Sequence, residues 1–259
     1  MNIINVDFMS LNAEDKKKII YKIAEKLDAA TEEYTFMQKI LAQTLFMSRC
    51  YNFLQQLLKK VSLPVPVLLK DIMEQLWRYL LGECSMEELE AFHRAAESVL
   101  IYLLVDDDED LDKEAWEKYK AEWENPLYFN NCLDETSEVS YILDQIVTEE
   151  ISWYELTDGE LMAVAGNYID DFDLETIYRK EDGCYKSDEY EQHWSEIYDS
   201  ETFGKIFSML IEDLKAVKEI EEFSKEAIES MRMKYQDKSM FDEAQIEKIA
   251  GMLREKYEN

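Results

Sequence analysis

The densest group of potential metal ligands in the sequence is the acidic run at residues 106–112, which reads DDDEDLD. Leu111 lies within it, at the position where the sharp turn of an EF-hand calcium loop needs glycine. A dense acidic run also matches alternating ligand positions by chance, so we favour a solvated acidic loop or a recognition surface over a calcium site. Six carboxylates match EF-hand positions 1, 3, 5, 7, 9 and 12: Asp106, Asp108, Asp110, Asp112, Glu114 and Glu117.

A second candidate is a di-metal carboxylate site, which would need two Glu-x-x-His motifs on facing helices. Glu90 and His93 form one such motif. The other histidine of the chain, His193, has Tyr190 where the second glutamate would stand. Half of the ligand set is therefore missing, and we interpret His93 as a partly buried histidine at the border of an apolar helix face, making one hydrogen bond.

Patterns typical of catalysis are absent from the sequence. It contains no Gly-x-Ser-x-Gly motif, no His-Glu-x-x-His motif and no phosphate-binding glycine loop. Adjacent carboxylates carry little information in a chain with 58 acidic residues. We therefore expect a non-enzymatic protein without a cofactor. The four cysteines form no CxxC pair, which indicates reduced thiols in a cytoplasmic protein: Cys50, Cys84, Cys132 and Cys184.

The elements that carry these residues are predicted to be helices. Six glycines and three prolines leave little material for tight β-turns, and 47% hydrophobic residues are enough for a substantial core. We expect an all-α fold, an irregular multi-helix bundle of roughly ten helices. Residues 1–104 would form an N-terminal helical bundle. Residues 105–259 would form an acidic helical region packed on it, either as a second region or as part of one continuous domain.

A helical hairpin over residues 68–104 is the strongest local pattern. Its first helix has apolar residues at helical spacing and ends before Gly82, which can adopt the left-handed conformation that closes a helix. Ser85 and Glu88 have the spacing of a capping box that begins the second helix. Two helices joined by about three residues are expected to lie antiparallel and to share an apolar seam.

Three further predictions concern the rest of the chain. Residues 31–60 are apolar on nearly all sides, which is typical of a helix buried at the centre of a bundle, and Pro64 and Pro66 follow its end. Residues 130–137 read as a loop. Residues 201–235 are predicted to be helical with a bend near Phe223-Ser224, and a last helix is expected over about 241–257.

The net charge of −30 is concentrated in the middle of the chain. Residues 101–200 hold 6 basic and 30 acidic residues, a net charge of −24, whereas residues 1–66 carry +2. Nucleic acid and anionic membrane surfaces are disfavoured as partners because both require a basic surface. We also find no signal peptide and no apolar window long enough to span a membrane. A cationic protein is the complementary partner.

The predicted contacts with such a partner are the carboxylates of three acidic segments. Aromatic residues are interleaved with the acids in this part of the chain, as in an interface that combines aromatic anchors with charge steering. A surface that only keeps the protein soluble is the alternative explanation. The predicted partner-binding residues are Asp106, Asp107, Asp108, Glu109, Asp110, Asp112, Glu149, Glu150, Asp170, Asp171 and Asp173.

The tryptophan-bearing helix at residues 70–80, followed by Gly82 and the acidic start of the next helix at residues 85–89, resembles a segment of the all-α immunity proteins of bacterial polymorphic toxin systems. The resemblance is centred on the hairpin at residues 68–104, about a seventh of the chain. It implies a stoichiometric inhibitor that binds one cognate toxin, a nuclease among the candidates, inside the producing cell.

Two alternatives from other classes stay open. One is a phage- or plasmid-encoded inhibitor that mimics the charge of DNA, which would need carboxylates spaced like phosphates along an elongated face. The other is a helical adaptor subunit, whose interface would be an exposed apolar groove. Binding that weakens strongly with salt would favour an acidic interface over the adaptor. The oligomeric state is not predictable from these patterns.

Overall fold

The computed structural model describes Leu27 and residues 29–105, 110–149, 200–220 and 222–257. All regular secondary structure in these ranges is helical, and they contain no strand, which confirms the predicted all-α class. Eight helices have defined bounds: α1 Phe36–Lys60, α2 Val67–Leu80, α3 Met86–Val105, α4 Lys113–Trp123, α5 Pro126–Val147, α6 Ser200–Lys218, α7 Lys225–Tyr235 and α8 Glu243–Tyr257.

The described residues belong to two compact units. Of the described residues, the larger unit contains 34–105, 110–149, 216–220 and 222–257, and so includes helices α1–α5, α7 and α8. The other unit contains the described residues at 27–33 and 200–215, including most of α6. In the second unit the Thr31 hydroxyl donates a hydrogen bond to the carbonyl oxygen of Leu27. The predicted division at residue 104 stays a prediction.

Helix α1 is the central element of the larger unit, as its all-round apolar pattern predicted. Residues 40–50 of this helix are buried without interruption, and α2, α5, α7 and α8 all pack against it. The helix begins later than expected because Thr35 caps it. The Thr35 hydroxyl accepts from the amide of Gln38 at 3.3 Å, and the Thr35 amide donates to Gln38 Oε1 at 2.9 Å.

The helical hairpin has the connection that the sequence predicted. Gly82 has a φ of +68°, a left-handed conformation that is unfavourable for any residue with a Cβ atom. The Ser85 amide donates to Glu88 Oε2 at 2.8 Å, and the Glu88 amide donates to the Ser85 hydroxyl at 3.2 Å. These two hydrogen bonds are the predicted capping box, and they fix the residue at which α3 begins.

The prediction of a loop at residues 130–137 is wrong, because α5 is continuous from Pro126 to Val147. Pro126 occupies the first helical position, where a missing amide donor breaks no hydrogen bond. The polar residues of this stretch favour a loop locally, but Cys132, Leu133 and Thr136 are buried in the unit. Tertiary packing therefore overrides the local preference, and the Thr136 hydroxyl donates to the Cys132 carbonyl oxygen at 2.6 Å.

The C-terminal helices are attached to α1 by hydrogen bonds from a buried amide. The predicted bend near Ser224 is a break, since α6 ends at Lys218 and the Ser224 hydroxyl caps α7 by accepting from the amide of Ala227. Asn52 Nδ2 of α1 donates to the carbonyl oxygens of Tyr235 and Lys238, both at 2.8 Å. These bonds tie the last residue of α7 and the turn that follows it to α1, and the Tyr235 carbonyl oxygen also accepts from the Lys238 amide at 3.1 Å.

Candidate partner-binding groove

A groove of about 230 Å³ lies between α3 and α5 on the larger unit. Helix α3 buries Leu89, Ala96 and Val99 in the core, and the residues on the adjacent stripe face the groove. Both helices contribute polar and apolar side chains to its walls, because each helix has a buried face and a flanking mixed one. The lining residues are His93, Glu97, Leu100, Ile101 and Leu104 from α3, and Ser137, Ser140, Tyr141 and Asp144 from α5.

His93 lines this groove as a buried side chain with a carboxylate on either side. Its side chain is 7% exposed, the Glu97 carboxylate lies 4.0 Å from Nδ1, and the Asp144 carboxylate lies 3.9 Å from Nε2. Both distances exceed hydrogen-bonding range. The predicted single hydrogen bond of His93 is thus not formed within the described residues, and its ring nitrogens have capacity for a further partner.

Two aliphatic side chains at the wall of the groove are unusually exposed. Ile101 is 43% exposed and Leu104 is 48% exposed, and they lie one helical turn apart on α3. Exposed aliphatic residues are ordinary when they are scattered singly, but these two line the same groove and together form one apolar wall. The groove therefore combines two carboxylates with an apolar wall.

Two of the predicted partner-binding residues, Asp110 and Glu149, follow the lining residues of α3 and α5 in the sequence. His93 of α3 lies opposite Asp144 of α5. The other lining residues come after His93 on α3 and before Asp144 on α5. The two helices are therefore antiparallel along the groove. Asp110 is exposed and comes six residues after Leu104. Glu149 is exposed and comes five residues after Asp144, with a φ of +57° just beyond the end of α5.

Asp112 is also one of the predicted partner-binding residues, but in the structure its carboxylate caps the helix that follows it. Its carboxylate accepts from the amides of Glu114 and Ala115 at 2.9 and 3.0 Å and so caps α4. Its own amide donates to the Ser98 hydroxyl at 3.1 Å, which ties the end of the acidic run to α3. Glu117, another residue of the calcium pattern, accepts from Lys120 Nζ at 2.6 Å.

The remaining predicted positions lie outside the described residues. Within the described ranges, no cluster of three or more histidine, cysteine, aspartate or glutamate side chains is arranged to hold a metal ion. Cys50, Cys84 and Cys132 are buried and form no disulfide within the described residues. Outside the described ranges are Asp106, Asp107, Asp108, Glu109, Glu150, Asp170, Asp171 and Asp173, together with Cys184 and His193.

A second cleft of about 230 Å³, lined by residues of α1, α2 and α7, has the opposite character. Its polar groups bind one another: Arg232 Nη2 lies 2.5 Å from Glu74 Oε2 and its guanidinium lies 5.7 Å from the centre of the Trp77 ring. Because Arg232 and Glu74 already pair with each other in this cleft, whereas the carboxylates of the groove between α3 and α5 come no closer than 3.9 Å to the His93 nitrogens, we regard that groove as the stronger candidate site.

Sequence reasoning missed this groove, although one signal for it was present. On α3, His93, Glu97, Ile101 and Leu104 recur every three or four residues and form a stripe beside the core stripe. A histidine, a carboxylate and two aliphatic residues on one stripe are unusual for a solvent face. The contribution of α5 could not be predicted, because its register against α3 is a tertiary property.

Comparisons with models of protein families, with curated proteins and with solved structures give no match to this chain. Among the helices that the structure describes, none combines the length and the apolar character needed to cross a membrane.

Proposed function

We propose that this protein is a non-enzymatic immunity protein that binds and neutralises a cognate bacterial toxin through an acidic surface. The observation that carries the proposal is the groove between α3 and α5, where the Glu97 and Asp144 carboxylates flank a buried histidine beside exposed aliphatic side chains. Toxin domains that attack nucleic acid need cationic clefts, and an anionic surface of fixed shape is complementary to them.

Charge distribution supports the same proposal. Residues 101–200 carry a net charge of −24, and α4, α5 and the acidic run lie within this stretch. Such a concentration accelerates association with a cationic protein and makes the rate depend on salt. The resemblance of residues 70–89 to a segment of all-α immunity proteins adds the specific class. The proposed site of action is the cytoplasm of the producing cell.

Growth rescue tests this proposal. Each gene that flanks the one for this chain is induced alone, and then together with this chain, in a host that lacks both. We expect one flanking gene to arrest growth alone and this chain to restore growth. Two harmless flanking genes, or arrest that this chain does not relieve, would contradict the proposal. A matched control is co-expression of an unrelated acidic helical protein, which should not restore growth.

A helical adaptor subunit is the second candidate, because Ile101 and Leu104 give the groove an apolar wall. The two functions differ in their dependence on salt. An interface dominated by apolar burial keeps its affinity as salt is raised, whereas one steered by carboxylates loses association rate. Measuring the partner's association rate at low and high salt therefore separates the two candidates.

A further inference from the structure

The groove between α3 and α5 has the polar chemistry of a site for a cationic side chain. Two half-exposed carboxylates, Glu97 and Asp144, face it from different helices. His93 lies between them, is more than nine-tenths buried, and makes no hydrogen bond to the described residues. A neutral imidazole has one bare nitrogen that can accept a hydrogen bond. A guanidinium or ammonium group could therefore donate to all three side chains.

The apolar wall indicates what such a cation would be attached to. Ile101 and Leu104 continue from Leu100 along α3, away from His93, so the groove is polar at one end and aliphatic along the other. An amphipathic helix that carries an arginine or lysine one or two turns from a pair of aliphatic residues has the matching pattern. A free metal ion or a small anion would leave the aliphatic wall exposed.

We propose that this groove binds an amphipathic, arginine- or lysine-bearing helix of the partner protein, with the cation between Glu97 and Asp144 and the apolar residues over Ile101 and Leu104. This assignment rests on the proposed function and names the contact site for it. A second copy of this chain is disfavoured as the occupant, because it would bring another −30 of charge to an acidic groove.

A defined peptide and a histidine signal test the assignment. The probe is a synthetic leucine–arginine amphipathic helix of about 18 residues, and a peptide with serine in place of leucine is the control of equal charge. The chain has two histidines, so NMR of the imidazole Cε1–H groups shows two signals, which His193→Asn assigns. We expect the amphipathic peptide to shift the His93 signal at low salt, and the serine peptide to bind more weakly.

Paired variants separate specific docking from general attraction to an acidic protein. Ile101→Ser with Leu104→Ser is expected to weaken binding of the amphipathic peptide about tenfold to fiftyfold, because each change removes a partly exposed aliphatic contact. Met233→Ser is the matched control, since Met233 is 69% exposed on α7, away from the groove. Asp144→Asn is expected to weaken binding several-fold and to reduce its dependence on salt.

Three outcomes would overturn the assignment. The first is equal affinity of the two peptides with an unmoved His93 signal, which means attraction by net charge only. The second is an equal effect of the Met233 control and the double variant. The third is concentration-dependent dimerisation that the double variant abolishes, which would assign the groove to a second copy.

The assignment and the proposed function can fail separately. If this chain rescues growth but the double variant rescues it equally well, the proposed function stands and the groove is not its contact site. If neither flanking gene is toxic, the proposed function fails, while the peptide titration still decides whether the groove binds a cationic amphipathic helix.

Discussion

Asn52 is the residue whose replacement tests the fold most sharply. It is 6% exposed on the central helix α1, and its Nδ2 group donates two hydrogen bonds of 2.8 Å to the carbonyl oxygens of Tyr235 and Lys238. These partners lie more than 180 residues away in the sequence, so the two bonds hold the end of α7 against α1. We predict that Asn52→Ala destabilises the larger unit.

The expected magnitude follows from these contacts. Each buried neutral hydrogen bond contributes about 1 kcal/mol, and removing one donor from a buried carbonyl group adds a desolvation cost. Alanine is a better helix former than asparagine, and this difference offsets about 0.6 kcal/mol of the loss. The net loss in the free energy of unfolding should be about 2 kcal/mol. Asn52→Asp should cost more at neutral pH, because a carboxylate would face two carbonyl oxygens without a proton to donate.

Urea denaturation followed by tryptophan fluorescence measures this loss. Gln55→Ala is the matched control, since Gln55 is exposed on the same helix three residues later and should change the free energy of unfolding by less than about 0.5 kcal/mol. An Asn52→Ala protein as stable as the Gln55→Ala protein would refute the assigned role of Asn52 and the packing of α7 on α1.

Three other predictions concern stability. Gly82→Ala should cost about 1 kcal/mol in urea denaturation solely through its φ of +68°, because no atom beyond the adjacent residues lies within 4 Å of the added Cβ. An unchanged stability would contradict this conformation. Glu122→Ala should cost about 1–2 kcal/mol, since its carboxylate accepts from the first amides of α2 at 2.6 and 3.1 Å; equal loss in exposed Glu124→Ala would argue against this cap. Burial raises the pKa of Tyr128 to about 12, above its unfolded value near 10, so stability should fall as pH rises from about 10 to 12. Tyr128→Phe should remove that component of the unfolding profile, and an identical pH dependence in the variant would be evidence against it.

Features set by neighbouring residues could be predicted from the sequence. The turn at Gly82 and the capping box of Ser85 and Glu88 depend on residues within one helical turn, and both are present as expected. The burial of α1 followed from apolar residues on all its sides. The helical class followed from these same short-range patterns.

Features set by distant contacts could not be predicted. Glu122 supplies the cap of α2 from α4, in place of the capping side chain that Pro66 lacks. The stretch at residues 130–137 is helical because its buried side chains pack in the unit, against its local preference. The cap of α2 and the helical state of residues 130–137 both depend on how the helices pack against one another, which the residue pattern of a single helix does not specify.

For the candidate site, the acidic character of the exposed residues could be predicted from the sequence, but the groove could not. Charge counting predicted an acidic partner surface, and Asp110, Asp112 and Glu149 of that set are exposed. The groove itself depends on Asp144 of α5 meeting His93 of α3, a contact across 51 residues of chain that spacing alone does not encode.

The proposed function requires that a cationic protein associates with the acidic run at residues 106–112. The most direct measurement is the association rate of the toxin found by growth rescue with a variant carrying Asp107→Lys, Asp108→Lys and Asp110→Lys. We predict association at least about tenfold slower than with the native chain at low salt, a difference that shrinks at high salt, and an unchanged helical circular dichroism spectrum. Equal association rates at low salt would contradict the claim.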